Sequence, residues 1–185
     1  MIPLKKEEPR YNYKDYCLWD DEKRWELIEG TAYLMSAPTW VHQDISINII
    51  FKLRQFLQGK SCKVLSSPID VRLNADTYDD TVVQPDIIVI CDKSKLDDGG
   101  TIVGAPDLIV EILSPSSVRR DTLTKFKLYK QAGVREYWIA DPEEKMMIVH
   151  ILESGKYVTS VYGENDKIPA HVLEGCEIDL GDVFG

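Results

Sequence analysis

Residues Gln84 to Asp141 read QPDIIVICDKSKLDDGGTIVGAPDLIVEILSPSSVRRDTLTKFKLYKQAGVREYWIAD. Within them, Ile87–Cys91 and Leu108–Leu113 are short β-branched runs that are apolar almost throughout rather than alternating. That pattern predicts central strands covered on both faces. Each run carries an acid: Asp86 opens the first and Glu111 sits inside the second. A carboxylate in a strand of this kind is costly unless something pairs it. A helix follows, capped by Ser116 or Ser117, running to Ala132 and stopped by Gly133. Beyond it Tyr137–Ala140 is a further strand that ends at Asp141-Pro142, with Tyr137 and Trp138 in the core.

The helix carries an unexpected lysine. Leu123, Phe126, Tyr129 and Ala132 define its apolar arc. At about 100° per residue Lys125 falls inside that arc, whereas Lys127 lies roughly 160° away on the outer face. Asp121, Lys125 and Tyr129 are spaced i, i+4, i+8 and so line one side. Asp86 and Glu111, on strands expected to be neighbours, form a hard oxygen site suited to Mg2+ or Mn2+. Such an ion lowers the pKa of a bound water and stabilises charge on a phosphoryl transition state.

Outward from this stretch, residues 1–14 are charged, contain two prolines and read as a loose tail, leaving residues 15–185 as one domain. Asp15–Leu27 reads as a short helix, and the breaks around Glu29-Gly30 and Thr31–Met35 as an entry hairpin. Thr39 caps a long helix reaching about Leu57, in which Ile45, Ile49, Leu53 and Phe56 recur at helical spacing. Cys62–Ser66 and Ile69–Leu73 are short strands, and Asn74–Thr81 is a polar turn. Met146–Leu152 and Tyr157–Tyr162 flank a hairpin, and Cys176–Leu180 is a last short run. The economical fold is a mixed α/β sheet with helices against it.

The segments Gln84-Pro85-Asp86, Glu111-Ile112-Leu113-Ser114-Pro115-Ser116, Asp121…Lys125…Tyr129 and Gly133–Trp138 together resemble the bacterial Uma-type restriction endonuclease family. That family belongs to the PD-(D/E)XK nuclease superfamily. The resemblance extends to Glu26–Gly30 and to Ala37-Pro38…His42-Gln43, so it covers most of the chain. It implies a restriction-endonuclease-like central sheet, a divalent metal at Asp86 and Glu111, nucleic acid (DNA rather than RNA) as substrate, and a homodimer. The superfamily's usual lysine, two residues after the second acid, is replaced here by Leu113. The resemblance implies that a helix lysine takes over, and it matches Lys125. It further implies that His42 or Glu29 approaches the metal, with Asp121 and Tyr129 nearby.

Blander accounts compete with each assignment. Asp86 after Pro85 can cap a turn, Glu111 and Lys125 can form a structural ion pair, and Glu29 beside Gly30 is ordinary turn chemistry. By local pattern His42 is a partly exposed residue near a helix start, and Arg119 and Arg120 are solvated surface. The net charge of −9 argues against a sequence-blind nucleic-acid coat, though not against a local basic groove or a metal-charged site. That charge and Leu113 favour the competing class, a non-catalytic binding or regulatory module on the same fold. Cys17, Cys62, Cys91 and Cys176 are scattered and read as small buried thiols in a reducing cytosol. Neither a signal peptide nor a membrane-spanning run is apparent, so a cytoplasmic, membrane-free protein is expected.

Overall fold

The computed structural model describes residues 10–115 and 117–185. The part of the expected tail formed by residues 1–9 lies outside the described residues, as does Ser116. Residues 10–14 are not loose. Tyr11 N donates to Gly30 O and Tyr13 N to Asp79 O, and Asn12 caps the single-turn helix α1 (Tyr13–Tyr16) through a capping box with Asp15. The helix expected over Asp15–Leu27 is therefore only this turn. Trp25–Ile28 is instead strand β1, paired antiparallel with β2 (Thr31–Leu34). The two-residue link between them puts Glu29 at φ 48° and Gly30 at φ 79°. Two successive positive φ values match the right-handed twist of a tight hairpin, and the second falls on the residue that adopts it without strain.

Thr39 caps α2 (Trp40–Phe56), its hydroxyl accepting from His42 N. After it come β3 (Lys63–Ser66), β4 (Val71–Arg72), β5 (Val82–Val83), β6 (Ile87–Ile90), β7 (Ile102–Val103) and β8 (Leu108–Ile112). A helical segment then begins with a π-helical turn, Arg120–Lys125, and continues as α3 (Phe126–Ala132). Gly133, at φ 84°, ends it in the left-handed conformation. The chain closes with β9 (Glu136–Asp141), the hairpin β10 (Met146–Glu153) and β11 (Lys156–Gly163), the pair β12 (Lys167–Pro169) and β13 (Glu177–Asp179), and α4 (Gly181–Phe184).

Six strands form the central mixed sheet in the order β11-β10-β9-β8-β6-β3, with β8 and β9 parallel and the other neighbours antiparallel. One face carries Ile87, Val89, Leu108, Val110, Trp138 and Ala140 against Ile45, Ile49 and Leu53 of α2 and the C-terminal segment. The opposite face carries Ile88, Ile90, Ile109, Leu113, Tyr137 and Ile139 against Tyr129 of α3 and a second sheet, β2-β1-β5-β4-β7. Cover on both sides is the reason the central runs are apolar at every position but that of Glu111. No helix among the described residues is long and apolar enough to cross a membrane.

Two further expectations need correction. Leu123, placed on the apolar arc, is 56% exposed. The π-helical turn fits more residues per turn than an α-helix, so it rotates position 123 outward while Asp121, Lys125 and Tyr129 stay buried. Cys62 and Cys91 are not separate thiols but a disulfide at the ends of β3 and β6, one step beyond the paired Lys63 and Ile90. Cys17 is free and exposed, and Cys176 is free and buried.

Candidate active site

Antiparallel pairing of β6 and β8 matches Ile87 with Val110. The next step of the same register sets Asp86 opposite Glu111, so two acids far apart in sequence meet at one end of the sheet. Asp86 Oδ2 accepts from Ile112 N at 2.8 Å, which locks the carboxylate against the neighbouring strand. The same oxygen meets His42 Nε2 at 3.1 Å. His42 is thus brought to the site from the first turn of α2, and it is buried rather than partly exposed. A carboxylate acceptor requires a proton on Nε2, and Nδ1 is left buried with no hydrogen-bond partner among the described residues.

Glu111 lies two residues from Ile109 on β8 and two from Leu113 just past its end, so it faces the side of the sheet covered by the π-helical turn and α3. Lys125 Nζ reaches Glu111 Oε1 at 2.9 Å, and the Tyr129 hydroxyl donates to the same oxygen at 2.6 Å. Lys125 also bonds Glu26 Oε1 at 2.8 Å and lies 3.6 Å from Asp121. All four charged groups are at most 4% exposed. Burial would strip Lys125 of its charge, yet Glu111, Glu26 and Asp121 together hold its pKa well above the ordinary lysine value. Glu26 is pushed up by burial, but Lys125, the Gln84 backbone N–H and Arg120 bring it below the usual carboxylate range. Three buried carboxylates still outnumber the two cations, Lys125 and Arg120, that reach them. The surplus is relieved at Glu111, raised well above its ordinary value by burial with the neighbouring acids adding to it, and at Asp121, raised chiefly by burial.

Glu26 is the site residue that sequence reasoning missed. The helix expected over Asp15–Leu27 includes it, whereas strand β1 places it wholly buried, accepting from Lys125, Gln84 N and, at 3.4 Å, Arg120. A signal was present: the turn at Glu29-Gly30 implies a strand on each side, and an acid within the first is anomalous for the same reason as Glu111. Glu29 itself stays on the hairpin turn, exposed and away from the cleft, so the structure does not bring it to Asp86. Arg119 is exposed, whereas Arg120 is half-buried and engaged with Glu26.

These residues line a cleft of about 600 Å³ that takes in Glu26, His42, Asp86, Glu111, Asp121 and Lys125. Among the described residues no group of three or more His, Cys, Asp or Glu is placed to hold a metal ion. The donor set nevertheless fits a Mg2+-type ion in kind. Asp86 and Glu111 are facing carboxylates, the bonds to Asp86 use Oδ2 and those to Glu111 use Oε1, and such an ion keeps several positions for water and phosphate.

The family described as "Uma2: Putative restriction endonuclease" matches residues 12–181. An "Uncharacterized protein slr1290" of Synechocystis sp. is 25% identical over 165 residues, which cover 86% of this chain and 84% of the relative. The crystal structure of "a putative nuclease belonging to DUF820" from Anabaena variabilis superposes with a TM-score of 0.75 at 20% identity, covering 93% of this chain and 96% of that one. That likeness shows the restriction-endonuclease-like fold: a mixed central sheet flanked by helices.

Proposed function

The chain belongs to the Uma2 family of restriction endonuclease description, and from that membership we propose a divalent-metal-dependent nuclease that hydrolyses phosphodiester bonds in DNA. The observation that carries the proposal is the facing pair Asp86 and Glu111 lining one cleft, with Lys125 bonded to Glu111. Asp86 and Glu111 would hold Mg2+ or Mn2+, which when bound supplies charge to the phosphoryl transition state and a water of lowered pKa. Ile112 N and His42 fix the Asp86 carboxylate, and Tyr129 and Lys125 fix Glu111. Lys125 stays protonated among its carboxylates, so it acts as a cationic donor that positions the water or phosphate and not as the base.

Leu113 is compatible with this assignment. It is buried in the second core, and Lys125 comes from the covering helical segment to the face where a strand lysine two residues after Glu111 would project. The test is cleavage of supercoiled, linear duplex and single-stranded DNA with Mg2+ or Mn2+. Wild type should cut, while Asp86→Asn and Lys125→Met should not; equal activity or equal silence in all three would sink the proposal. A second reading, a non-catalytic DNA-binding module, is favoured by the closure of Lys125 into its ion-pair network. DNA binding without cleavage in either metal would select it.

A single cleft cuts one strand at a time, so double-strand cleavage calls for two copies, and we propose a homodimer. Light scattering of the protein alone should give twice the monomer mass, and with duplex DNA two protomers plus the duplex. A monomer under both conditions would count against it.

A further inference from the structure

We propose that Arg24 is a preformed seat for a backbone phosphate of the DNA strand, beside Asp86; this rests on the nuclease reading above. Arg24 immediately precedes β1, is half-buried, and lines the same cleft as Asp86 and Glu111. Its Nε and Nη2 both donate to Gln84 Oε1, at 3.0 and 2.9 Å, and Nη2 also donates to Ser67 Oγ. Both acceptors are neutral. Arg10, Arg72, Arg120 and Arg135 each pair with a carboxylate, whereas Arg24 has no such partner among the described residues. A guanidinium cannot shed its proton, so a half-buried one without a counter-ion is a standing demand for an anion.

The seat is also rigid. Gln84 Nε2 donates to Asp70 Oδ1 at 2.9 Å and to the Tyr16 hydroxyl oxygen at 3.1 Å, while that hydroxyl donates to Asp70 Oδ1 at 3.0 Å. With its NH2 group tied there, the Gln84 amide presents its oxygen to Arg24 and fixes the guanidinium plane. Both acceptors sit next to Asp86. Gln84 precedes it by two residues, and Ser67 N donates to the Asp86 carbonyl at 3.0 Å. Nη1 takes no part in these bonds, so the fork retains donors for a phosphate flanking the one under attack. Orientation of this kind, settled before binding, is what makes a charged contact strong.

The test is fluorescence anisotropy with a labelled DNA duplex in Ca2+, across NaCl from about 50 to about 200 mM. If Arg24 neutralises one phosphate, Arg24→Met should lower the slope of log K against log salt by about 0.9 and weaken binding on the order of tenfold. Arg24→Lys keeps the charge but loses the fork, so its slope should stay at the wild-type value while binding weakens by roughly threefold. Lys156→Ala, on the exposed edge strand β11, should change neither by as much. If Arg24→Met fails to fold by thermal melting, the Arg24→Lys result decides alone. Wild-type slope and affinity in the Met variant, or wild-type affinity in the Lys variant, would overturn the assignment and leave the nuclease reading standing. A wild type that binds no DNA would remove both. Arg24-dependent protection by inorganic phosphate, with DNA affinity indifferent to the substitution, would make this a free-anion site and overturn the proposal.

Discussion

At the residue scale the deciding group is Lys125, at the centre of Glu26, Glu111 and Asp121. The helix pattern marks it from sequence, because a lysine at i+4 from Asp121 and i−4 from Tyr129 shares their buried side. The identity of its tightest partner was not legible. Glu26 lies 99 positions away in a four-residue strand too short to display a period. Removing the cation leaves three buried carboxylates without it. Lys125→Met should therefore destabilise the fold by about 3–5 kcal/mol, read as a lowered urea midpoint at neutral pH. A loss below about 1 kcal/mol would mean the ion pairs are solvated and the cluster is not the closed network described above. Glu26→Gln should fall between the two, since its amide oxygen still accepts from Lys125 while the anion is gone.

At the element scale, the well-read parts are those whose pattern is local and long. α2 has a cap and periodic apolar residues along its length, and β6 and β8 are apolar, largely β-branched runs broken only by Glu111. The poorly read parts owe their form to distant partners. β5 and β7 are two-residue strands that exist only through pairing with β1 and β4, and the π-helical turn has no residue signature. The disulfide likewise depends on β3 and β6 being neighbours, across a separation of 29 residues. β10 supplies a pH probe of this packing. His150 is enclosed by Phe126, Tyr137 and Tyr157, and its Nδ1 meets Thr159 Oγ1 at 2.8 Å. Burial lowers its pKa from 6.5 to about 4. The unfolded chain then binds the extra proton first, so the stabilisation present above 6.5 is lost as pH falls towards about 4. Melting temperatures should drop across that window in wild type and less steeply in His150→Gln. Identical slopes would show that the imidazole is solvated. Glu26, with its pKa lowered, loses its contribution only below the ordinary carboxylate range, so the two effects separate in pH.

At the scale of the whole molecule, the charge problem returns. The protein carries a net charge of −9 and its cleft is lined by Glu26, Asp86, Glu111 and Asp121 against Arg24, Arg120 and Lys125. A polyanion approaching such a surface is repelled over a screening length of about 10 Å at 0.1 M salt. Arg24 serves a flanking phosphate, but the phosphate under attack is accommodated only if positive charge is added where Asp86 and Glu111 face each other, which is what a divalent ion would do. Binding of that ion to the folded form alone raises stability by about 2.7 kcal/mol at a hundredfold excess over its dissociation constant. Mn2+ or Mg2+ should therefore raise the melting temperature of wild type in a saturable way, and chelation should reverse it. Asp86→Asn keeps an oxygen for Ile112 N, and Glu111→Gln keeps one for Lys125 and Tyr129, so both variants should fold while losing the metal-dependent shift. A wild type indifferent to metal would leave Asp86 and Glu111 as members of an acidic ion-pair network and overturn the metal-dependent reading. A shift preserved in both variants would place the ion elsewhere on an acidic surface.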